Sequence, residues 1–283
     1  ERLSRGERAL LAGCHRGGAE GPFRTAAPPA WLLCQWPEEP QGFRDFAMGC
    51  PPRCRALHGT PRPTLHLQPL GFTDTGCERS RAFVAAVRGY AEAFLPGFTV
   101  RLNEPLDVAE SRSPCRRDAR TGHWQIHADG LLHYLKGLRA PGRSCLLGLT
   151  LADLYAGNSA DFVFEKCLPA EGVAVCSLAR LDPDFDKRLR EARLDPARSG
   201  DRAWFAGLSL PATPGGDFLL HSCKAVVHVA CHLLGMAHCR WLACVMQGVR
   251  SAAMARARPP HLCPVCLHKL HHAAAFRLAP RYR

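Results

Sequence analysis

The stretch His228-Val229-Ala230-Cys231-His232-Leu233-Leu234-Gly235-Met236-Ala237-His238 decides how this chain is interpreted. His228 and His232 are four residues apart, a spacing that places both imidazoles on one face of a helix. Gly235 permits the left-handed conformation that ends a helix, so the chain can turn back and deliver His238 to the same point. Three converging imidazoles predict a zinc site whose fourth tetrahedral position is open to water.

The residues around this motif predict its helix. Lys224 to Leu234 contains neither glycine nor proline and has the apolar periodicity of an amphipathic helix. The alternative is a buried helix whose histidines only pack in the core. Metal binding is the better interpretation, because a third histidine and a placed glycine exceed what a core face requires.

Two close cysteine pairs follow the histidines, namely Cys239 with Cys244 and Cys263 with Cys266. Four thiolates would fill a tetrahedral zinc, so these pairs predict a closed structural site that ties down the C-terminal segment. Two disulfides or four unligated thiols are the alternatives. The sequence therefore predicts two zinc ions per chain, one in a three-histidine site and one in a four-cysteine site.

The three-histidine run, the CxxxxCxM pattern that ends at Met246 and the CxxCxxK pattern that ends at Lys269 resemble the archaemetzincin (archaelysin) family of metzincin-type zinc metallopeptidases. Segments 148–155, 161–164 and 174–181 also resemble strands of that family, and the resemblance spans roughly residues 64 to 278. It implies that Met246 lies in the Met-turn beneath the site, although packing alone would also explain a buried methionine. It also implies a catalytic zinc on His228, His232 and His238 and a structural zinc on Cys239, Cys244, Cys263 and Cys266.

Val229 occupies the position of the family's catalytic glutamate. That carboxylate takes a proton from zinc-bound water and passes it to the leaving amine, a contribution of roughly 10² to 10⁴ in rate. Residues 218 to 283 contain no Asp or Glu, and the nearest upstream candidates are Asp217 and Glu165, which lies on a predicted strand. No catalytic residue of the motif is intact, which predicts weak or absent activity. A variant allele or a sequence error would give the same pattern.

Alternating strands and helices predict a mixed α/β (α+β) fold. The resemblance implies a metzincin-like zincin domain with a mixed twisted sheet above the active-site helix and a C-terminal segment held by the four-cysteine zinc. A substrate groove is expected between an edge strand and that helix. The predicted strands are Thr64–Leu70, Phe98–Leu102, Cys145–Leu151, Asp161–Phe164 and Gly172–Leu178, and the predicted helices are Ser80–Phe94, His127–Leu138 and Leu262–Phe276.

Composition suggests one domain with an appendage. Residues 1–62 are rich in Pro, Gly and Arg and predict a loosely structured extension, in which Cys50 and Cys54 are expected to be thiols without metal. Residues 63–283 form the archaemetzincin-like domain. Within it, Leu181 to Gly216 predicts an exposed insertion with a short helix. Three late histidines are expected on the polar face of the last helix, namely His268, His271 and His272.

Charge and cysteine content limit the partners and the compartment. The net charge is +12, and residues 218 to 283 carry nine Lys or Arg. A scattered basic face is more often solvated than bound to nucleic acid, which is an unlikely partner. Fifteen cysteines, an odd number, and the lack of a convincing signal peptide or an 18-residue apolar stretch predict an intracellular protein, cytoplasmic or nuclear, without a membrane span.

Three functions follow from these observations, of which a basic, zinc-stabilised nucleic-acid binder is the least favoured. The first is a zinc metallopeptidase that hydrolyses peptide bonds through water on the three-histidine zinc, with activity lowered by Val229. The second is an inactive pseudo-peptidase that serves as a zinc-dependent peptide-binding or interaction module. The expected partner is a peptide or protein, and the sequence predicts neither the physiological substrate nor the oligomeric state.

Overall fold

The computed structural model describes residues 5, 38–51, 62–72, 78–142, 144–157, 161–194, 200–211, 213–240 and 242–278. The helices in these ranges are α1 (Phe43–Gly49), α2 (Glu78–Phe94), α3 (Ala128–Leu138), α4 (Phe185–Leu194), α5 (Asp201–Ala206), α6 (Gly216–Leu233), α7 (Ala252–Ala257) and α8 (Pro264–Ala274). The strands are β1 (Thr64–Leu70), β2 (Thr99–Leu102), β3 (Cys115–Arg117), β4 (Trp124–His127), β5 (Ser144–Thr150), β6 (Asp153–Tyr155), β7 (Phe162–Val163), β8 (Glu165–Leu168) and β9 (Val173–Ser177).

The larger sheet has the strand order β2-β1-β5-β9-β8. Its first four strands are parallel, whereas β8 at the edge is antiparallel to β9. Every residue of β5 is buried, because helices cover both faces of the sheet. Leu147 and Leu149 face the core that contains α2 and α6, while Leu146 faces α3. The predicted mixed α/β fold, with its sheet packed on the histidine-bearing helix, is confirmed.

Most predicted elements lie within two residues of the observed ones, and β1 has the predicted bounds. The predicted strand Asp161–Phe164 is present but shorter than predicted. Its residues form β7, which pairs with β6 in a second sheet of order β3-β4-β6-β7, and β8 then begins at Glu165 in the larger sheet. This second sheet was not predicted, because its strands are two to four residues long and carry charged residues such as Arg116 and Arg117.

The segment from Leu181 to Gly216 is less exposed than expected. It contains two helices, α4 and α5, and Trp204 and Phe205 of α5 are buried in the core that includes α3. Most described residues of the segment are exposed or half-buried as predicted, but it carries two helices where one was expected, and two aromatic side chains of the second are buried. Because charged residues surround Trp204 and Phe205 in the sequence, the pattern did not indicate the apolar face that packs inward.

Residues 38–51 pack on the C-terminal helix. The Phe43 ring of α1 stacks on His268 of α8, with ring centroids 3.8 Å apart, and Cys50 is buried in the larger core. His271 is buried and donates its Nδ1–H to the Phe276 carbonyl, so it does not lie on a polar face, whereas His268 and His272 are partly exposed. Cys54 lies outside the described residues. The domain boundary near residue 62 stays a prediction, although residues 38–51 contact the domain closely.

Candidate metal centres

Helix α6 carries the first two histidines of the motif. It begins at Gly216, eight residues before the predicted start at Lys224, and ends at Leu233. Its buried face includes Val226, Val227 and Leu233 in the larger core. Because this face is fixed by core packing, the helix is a rigid support for His228 and His232.

His228 and His232 point toward one another. Their Nε2 atoms are 2.9 Å apart. The Nδ1 of His228 lies 2.7 Å from the Val245 carbonyl, and the Nδ1 of His232 lies 2.7 Å from the Met236 carbonyl. A carbonyl only accepts hydrogen bonds, so each ring carries its proton on Nδ1 and presents a lone pair on Nε2. Two facing lone pairs repel each other unless a cation lies between them.

Burial keeps both rings neutral. It is the main cause that lowers the pKa of His228 well below the ordinary value, and the Arg258 and His238 charges add to it. Burial also lowers the pKa of His232 to about 3. Neutral imidazoles with free Nε2 atoms are the form in which histidine binds a metal. The residues present therefore fit a metal ion.

The turn after α6 brings His238 to the same place. Gly235 has a φ of +86°, and its N–H donates to the His232 carbonyl at 2.8 Å. His238 donates its Nδ1–H to the Glu38 carboxylate, with 2.8 Å between Nδ1 and Oε2, and this hydrogen bond is the main cause that lowers the pKa of Glu38. Gly248 packs against the His238 ring, since a Cβ at position 248 would lie 3.2 Å from Nδ1.

A carboxylate also reaches the three histidines. Glu165 is the first residue of β8, and its Oε1 lies 2.8 Å from His228 Nε2 and 3.8 Å from His232 Nε2. One ligand atom each from Glu165, His228, His232 and His238 fall within 4.8 Å of one another; these four residues are the histidine cluster. Asp217, the other candidate, lies 11 residues before His228 on α6, about 16 Å along the helix axis.

Val229 has no role in this cluster. It is fully buried and belongs to the larger core. Valine supplies no carboxylate here, whereas the Glu165 carboxylate reaches the histidines from the edge strand β8. Glu165, one of the two upstream candidates named from the sequence, is therefore the carboxylate that reaches the histidines.

Arg258 places a buried positive charge near the histidine cluster. Its pKa is lowered by burial, and the Glu165 carboxylate opposes this effect. Its Nε has no hydrogen-bond partner among the described residues. Lys224 of α6 donates to the carbonyls of Arg256 and Arg258, each at 2.7 Å, and so fixes the end of α7 against the metal helix.

The four predicted cysteines also come together. Their sulfur atoms lie within 4.8 Å of one another and all four residues are buried; Cys239, Cys244, Cys263 and Cys266 are the cysteine cluster. Cys239 and Cys263 have their Sγ atoms 3.7 Å apart, far more than the roughly 2.05 Å of a disulfide. The Cys263 N–H donates to the Cys244 sulfur at 3.2 Å. Burial raises the pKa of Cys244 well above the ordinary thiol value, because a buried thiolate without a cation is unfavourable. A bound metal ion would stabilise the thiolate.

Met246 lies in the turn that links the two clusters. Its side chain is fully buried, and its carbonyl accepts a hydrogen bond from the Cys239 N–H at 2.7 Å. The preceding residue, Val245, supplies the carbonyl that orients His228. This turn therefore bonds to one residue of each cluster, to His228 through Val245 and to Cys239 through Met246.

Sequence reasoning missed three residues around the histidines, namely Glu38, Gln41 and Arg258. Gln41 accepts from the Ala237 N–H at 3.0 Å and donates to the Gly235 carbonyl at 2.9 Å, so it braces the turn that carries His238. Glu38 and Gln41 are about 200 residues from the motif, and no local spacing links them to it. The run Glu38-Glu39 in an otherwise basic segment is the signal that was available.

Comparison with known proteins finds similarity to archaemetzincins. No protein-family model matches the chain. Archaemetzincin-2 of Homo sapiens is 33% identical over 291 aligned positions, which cover 100% of this chain and 79% of that protein. Archaemetzincin-1 of Rattus norvegicus is 38% identical over 263 positions, which cover 89% of this chain and 50% of that protein. The expectation that the resemblance begins near residue 64 is therefore wrong.

Solved structures agree at the level of the fold. The crystal structure of archaemetzincin from Methanopyrus kandleri has a TM-score of 0.51 and 23% identity, and covers 78% of this chain and 99% of that one. A zinc-dependent peptidase from Methanocorpusculum labreanum has a TM-score of 0.51 and 20% identity over 73% of this chain and 99% of that one. With the identity to archaemetzincin-2 sustained along its whole length, the chain belongs to the archaemetzincin family of zinc metallopeptidases.

Proposed function

We propose that this chain is a zinc-loaded member of its family that binds extended peptides and hydrolyses them weakly or not at all. The observation that carries the proposal is the pairing of a preorganised three-histidine cluster with a buried valine at position 229. The histidines fit a metal, while the motif lacks the group that moves the proton.

His228, His232 and His238 would hold one zinc, and the cysteine cluster would hold a second. The Nδ1 hydrogen bonds of the first two histidines to backbone carbonyls support this assignment, because such bonds fix the tautomer of ligating histidines. Glu38 would play the same part for His238. The four buried sulfurs with backbone N–H donors match a closed structural site.

Zinc, when bound, polarises a carbonyl and lowers the pKa of water. The protein must then hold and move the proton. Val229 is apolar and cannot do so, and the carboxylate of Glu38 is engaged on the outer side of the His238 ring. The missing step is worth roughly 10² to 10⁴ in rate, which supports weak or absent hydrolysis.

The edge strand β8 supports peptide binding. It is the last strand of the larger sheet, and it packs beside α6. The Ser177 N–H donates to the Phe164 carbonyl at 2.7 Å, so by antiparallel alternation the N–H and C=O groups of Glu165 and Cys167 point away from β9. An extended peptide could add to this edge of the sheet as a further strand.

Hydrolysis is tested on purified protein with a quenched fluorescent peptide library, beside zinc content. We expect the chain as it stands to contain one more zinc than His232→Ala, and to cleave the library no faster than that variant. Robust cleavage by the unaltered chain that is lost in His232→Ala would overturn the proposal of weak activity. Equal zinc content in the two proteins would overturn the proposed histidine site.

Peptide binding is tested separately at Cys167. Cys167→Pro removes an outward N–H without removing a bond to β9, whereas Cys167→Ala keeps that N–H. We expect a fluorescein-labelled pool of random decapeptides to bind Cys167→Pro more weakly than Cys167→Ala, measured by fluorescence anisotropy. Equal binding by both variants would exclude strand addition at β8.

A further inference from the structure

We propose that Glu165 is the fourth protein ligand of the metal in the histidine cluster, so that protein atoms close the coordination and leave no position for water. The inference rests on the proposed zinc binding by the three histidines. It assigns to the edge strand a ligand that the histidine motif does not contain.

The distances fit a single four-coordinate ion. Zinc bonds of about 2.0 to 2.2 Å to nitrogen and oxygen give ligand atoms about 3.3 to 3.5 Å apart in a tetrahedron. The observed separations are 2.9 Å between the Nε2 atoms of His228 and His232, and 2.8 and 3.8 Å from these atoms to Glu165 Oε1. These separations lie on both sides of the tetrahedral value, so small adjustments would complete the geometry.

The contact between Glu165 and His228 is not an ordinary ion pair. The proton on Nδ1 of His228 points to the Val245 carbonyl, so Nε2 presents a lone pair to the carboxylate. The carboxylate oxygen and two ring nitrogens therefore converge as three acceptors, an arrangement that a metal cation stabilises.

The strand places this carboxylate inward. Residues two apart in a strand share a face, and Cys167, two residues after Glu165, packs against the larger core that includes α6. Cys176, opposite Glu165 in β9, is fully buried in the same core. Among the described residues, the ion pairs of Glu165 are to His228 and His232. The buried Arg258 guanidinium lies near this carboxylate, and a metal in the cluster would add the charge that its contact with His228 and His232 lacks.

A closed coordination also explains why valine is tolerated at position 229. A general base acts on water held by the metal. Where Glu165 fills the fourth position, no such water is present and a glutamate at 229 has no proton to take. Val229 and Glu165 are then both consistent with a metal site that does not activate water.

The test uses acetohydroxamic acid, which binds zinc only where coordination positions are open, on the zinc-loaded full chain by calorimetry. The saturated cysteine cluster has no open position for it. We expect Glu165→Ala to bind the hydroxamate more than about 10-fold more tightly than the unaltered chain, since Glu165 must first leave the metal in the latter. Glu165→Gln keeps the side-chain volume and should also bind more tightly. Glu171→Ala removes a half-exposed carboxylate paired with Lys136 and should behave as the unaltered chain.

A second readout combines two substitutions. We expect Val229→Glu together with Glu165→Ala to hydrolyse the peptide library more than about 10-fold faster than Val229→Glu alone. Equal hydroxamate binding by the unaltered chain, Glu165→Ala and Glu165→Gln would overturn the role of Glu165 while leaving the zinc site intact. Equal zinc content in the unaltered chain and His232→Ala would instead overturn the zinc site itself, and the two failures are thus distinguishable.

Discussion

The histidine cluster and the cysteine cluster are adjacent in the chain, because His238 is followed directly by Cys239, yet they are built differently. All four cysteines are buried and come from residues 239 to 266. Three members of the histidine cluster are partly exposed, and Glu165 comes from a distant strand. One cluster is local and sealed, and the other is assembled from separate parts of the fold at the surface. The first is suited to holding structure, whereas the second is partly accessible to solvent.

The largest effect is expected from Cys266→Ser. We expect a loss of more than about 4 kcal/mol in the free energy of unfolding and of one zinc, because structural zinc sites contribute directly to folding. Urea unfolding and zinc content measure these changes. Cys115→Ser, at a half-buried cysteine of β3 outside the cluster, is the control and should keep both zinc ions. A Cys266→Ser protein with unchanged stability would remove the distinction between the clusters.

His232→Ala should have a smaller effect on stability. We expect it to lose one zinc and about 2 to 3 kcal/mol, the contribution of a ligand bound at 100-fold its dissociation constant. Because α6 is held by core packing, the circular dichroism spectrum should not change. A stability loss as large as that of Cys266→Ser would show that the histidine cluster is equally structural.

Glu38→Ala should weaken metal binding without removing it. The substitution leaves the Nδ1–H of His238 without its partner, and loss of such an outer partner costs roughly 10 to 100-fold in metal affinity. Competition with a chelator for the more weakly held zinc measures this change. Glu39→Ala, at an exposed neighbour, is the matched control. Equal zinc affinity in both variants would mean that Glu38 does not orient His238.

Gly248→Ala should give the smallest change. Its Cβ would lie 3.2 Å from His238 Nδ1, so the ring must shift by a few tenths of an ångström. We expect less than about 10-fold loss of zinc affinity at the histidine cluster and none at the cysteine cluster. Gly137→Ala in α3 adds a methyl group with nothing within 4 Å and serves as the control. A loss of zinc from the cysteine cluster would mean that the two clusters are coupled.

The same contrast explains what sequence could predict. The cysteines and histidines lie within residues 228 to 266, so their spacings carry the information about which atoms meet. The sequence pattern also predicted α2, α3 and four of the five strands of the larger sheet, all but β8. Glu38, Gln41 and Glu165 join the site through tertiary packing, which no local pattern encodes. Glu165 was a candidate carboxylate from the sequence. Its distance from the histidines follows from the position of β8 beside α6, which the sequence pattern did not predict.

Among the described residues, no helix is both long enough and apolar enough to span a membrane.

The described basic residues include some with structural roles. Lys224 and Lys269 are buried, and Lys269 donates to the carbonyl and the side chain of Gln41 at 2.6 and 2.9 Å. Part of the positive charge near the clusters therefore holds the fold together, and is not presented to a partner.

The contacts of residues 38–51 have a consequence for how the protein folds. His238 and Glu38 are 200 residues apart, and Lys269 and Gln41 are 228 apart. Contacts of such long range form late, since the chain between them must first be ordered. During synthesis, Glu38 leaves the ribosome well before His238, and their contact can form only after the intervening sheet and helices have folded. Tight zinc uptake at the histidines should therefore mark the completion of folding, well after the central sheet has formed.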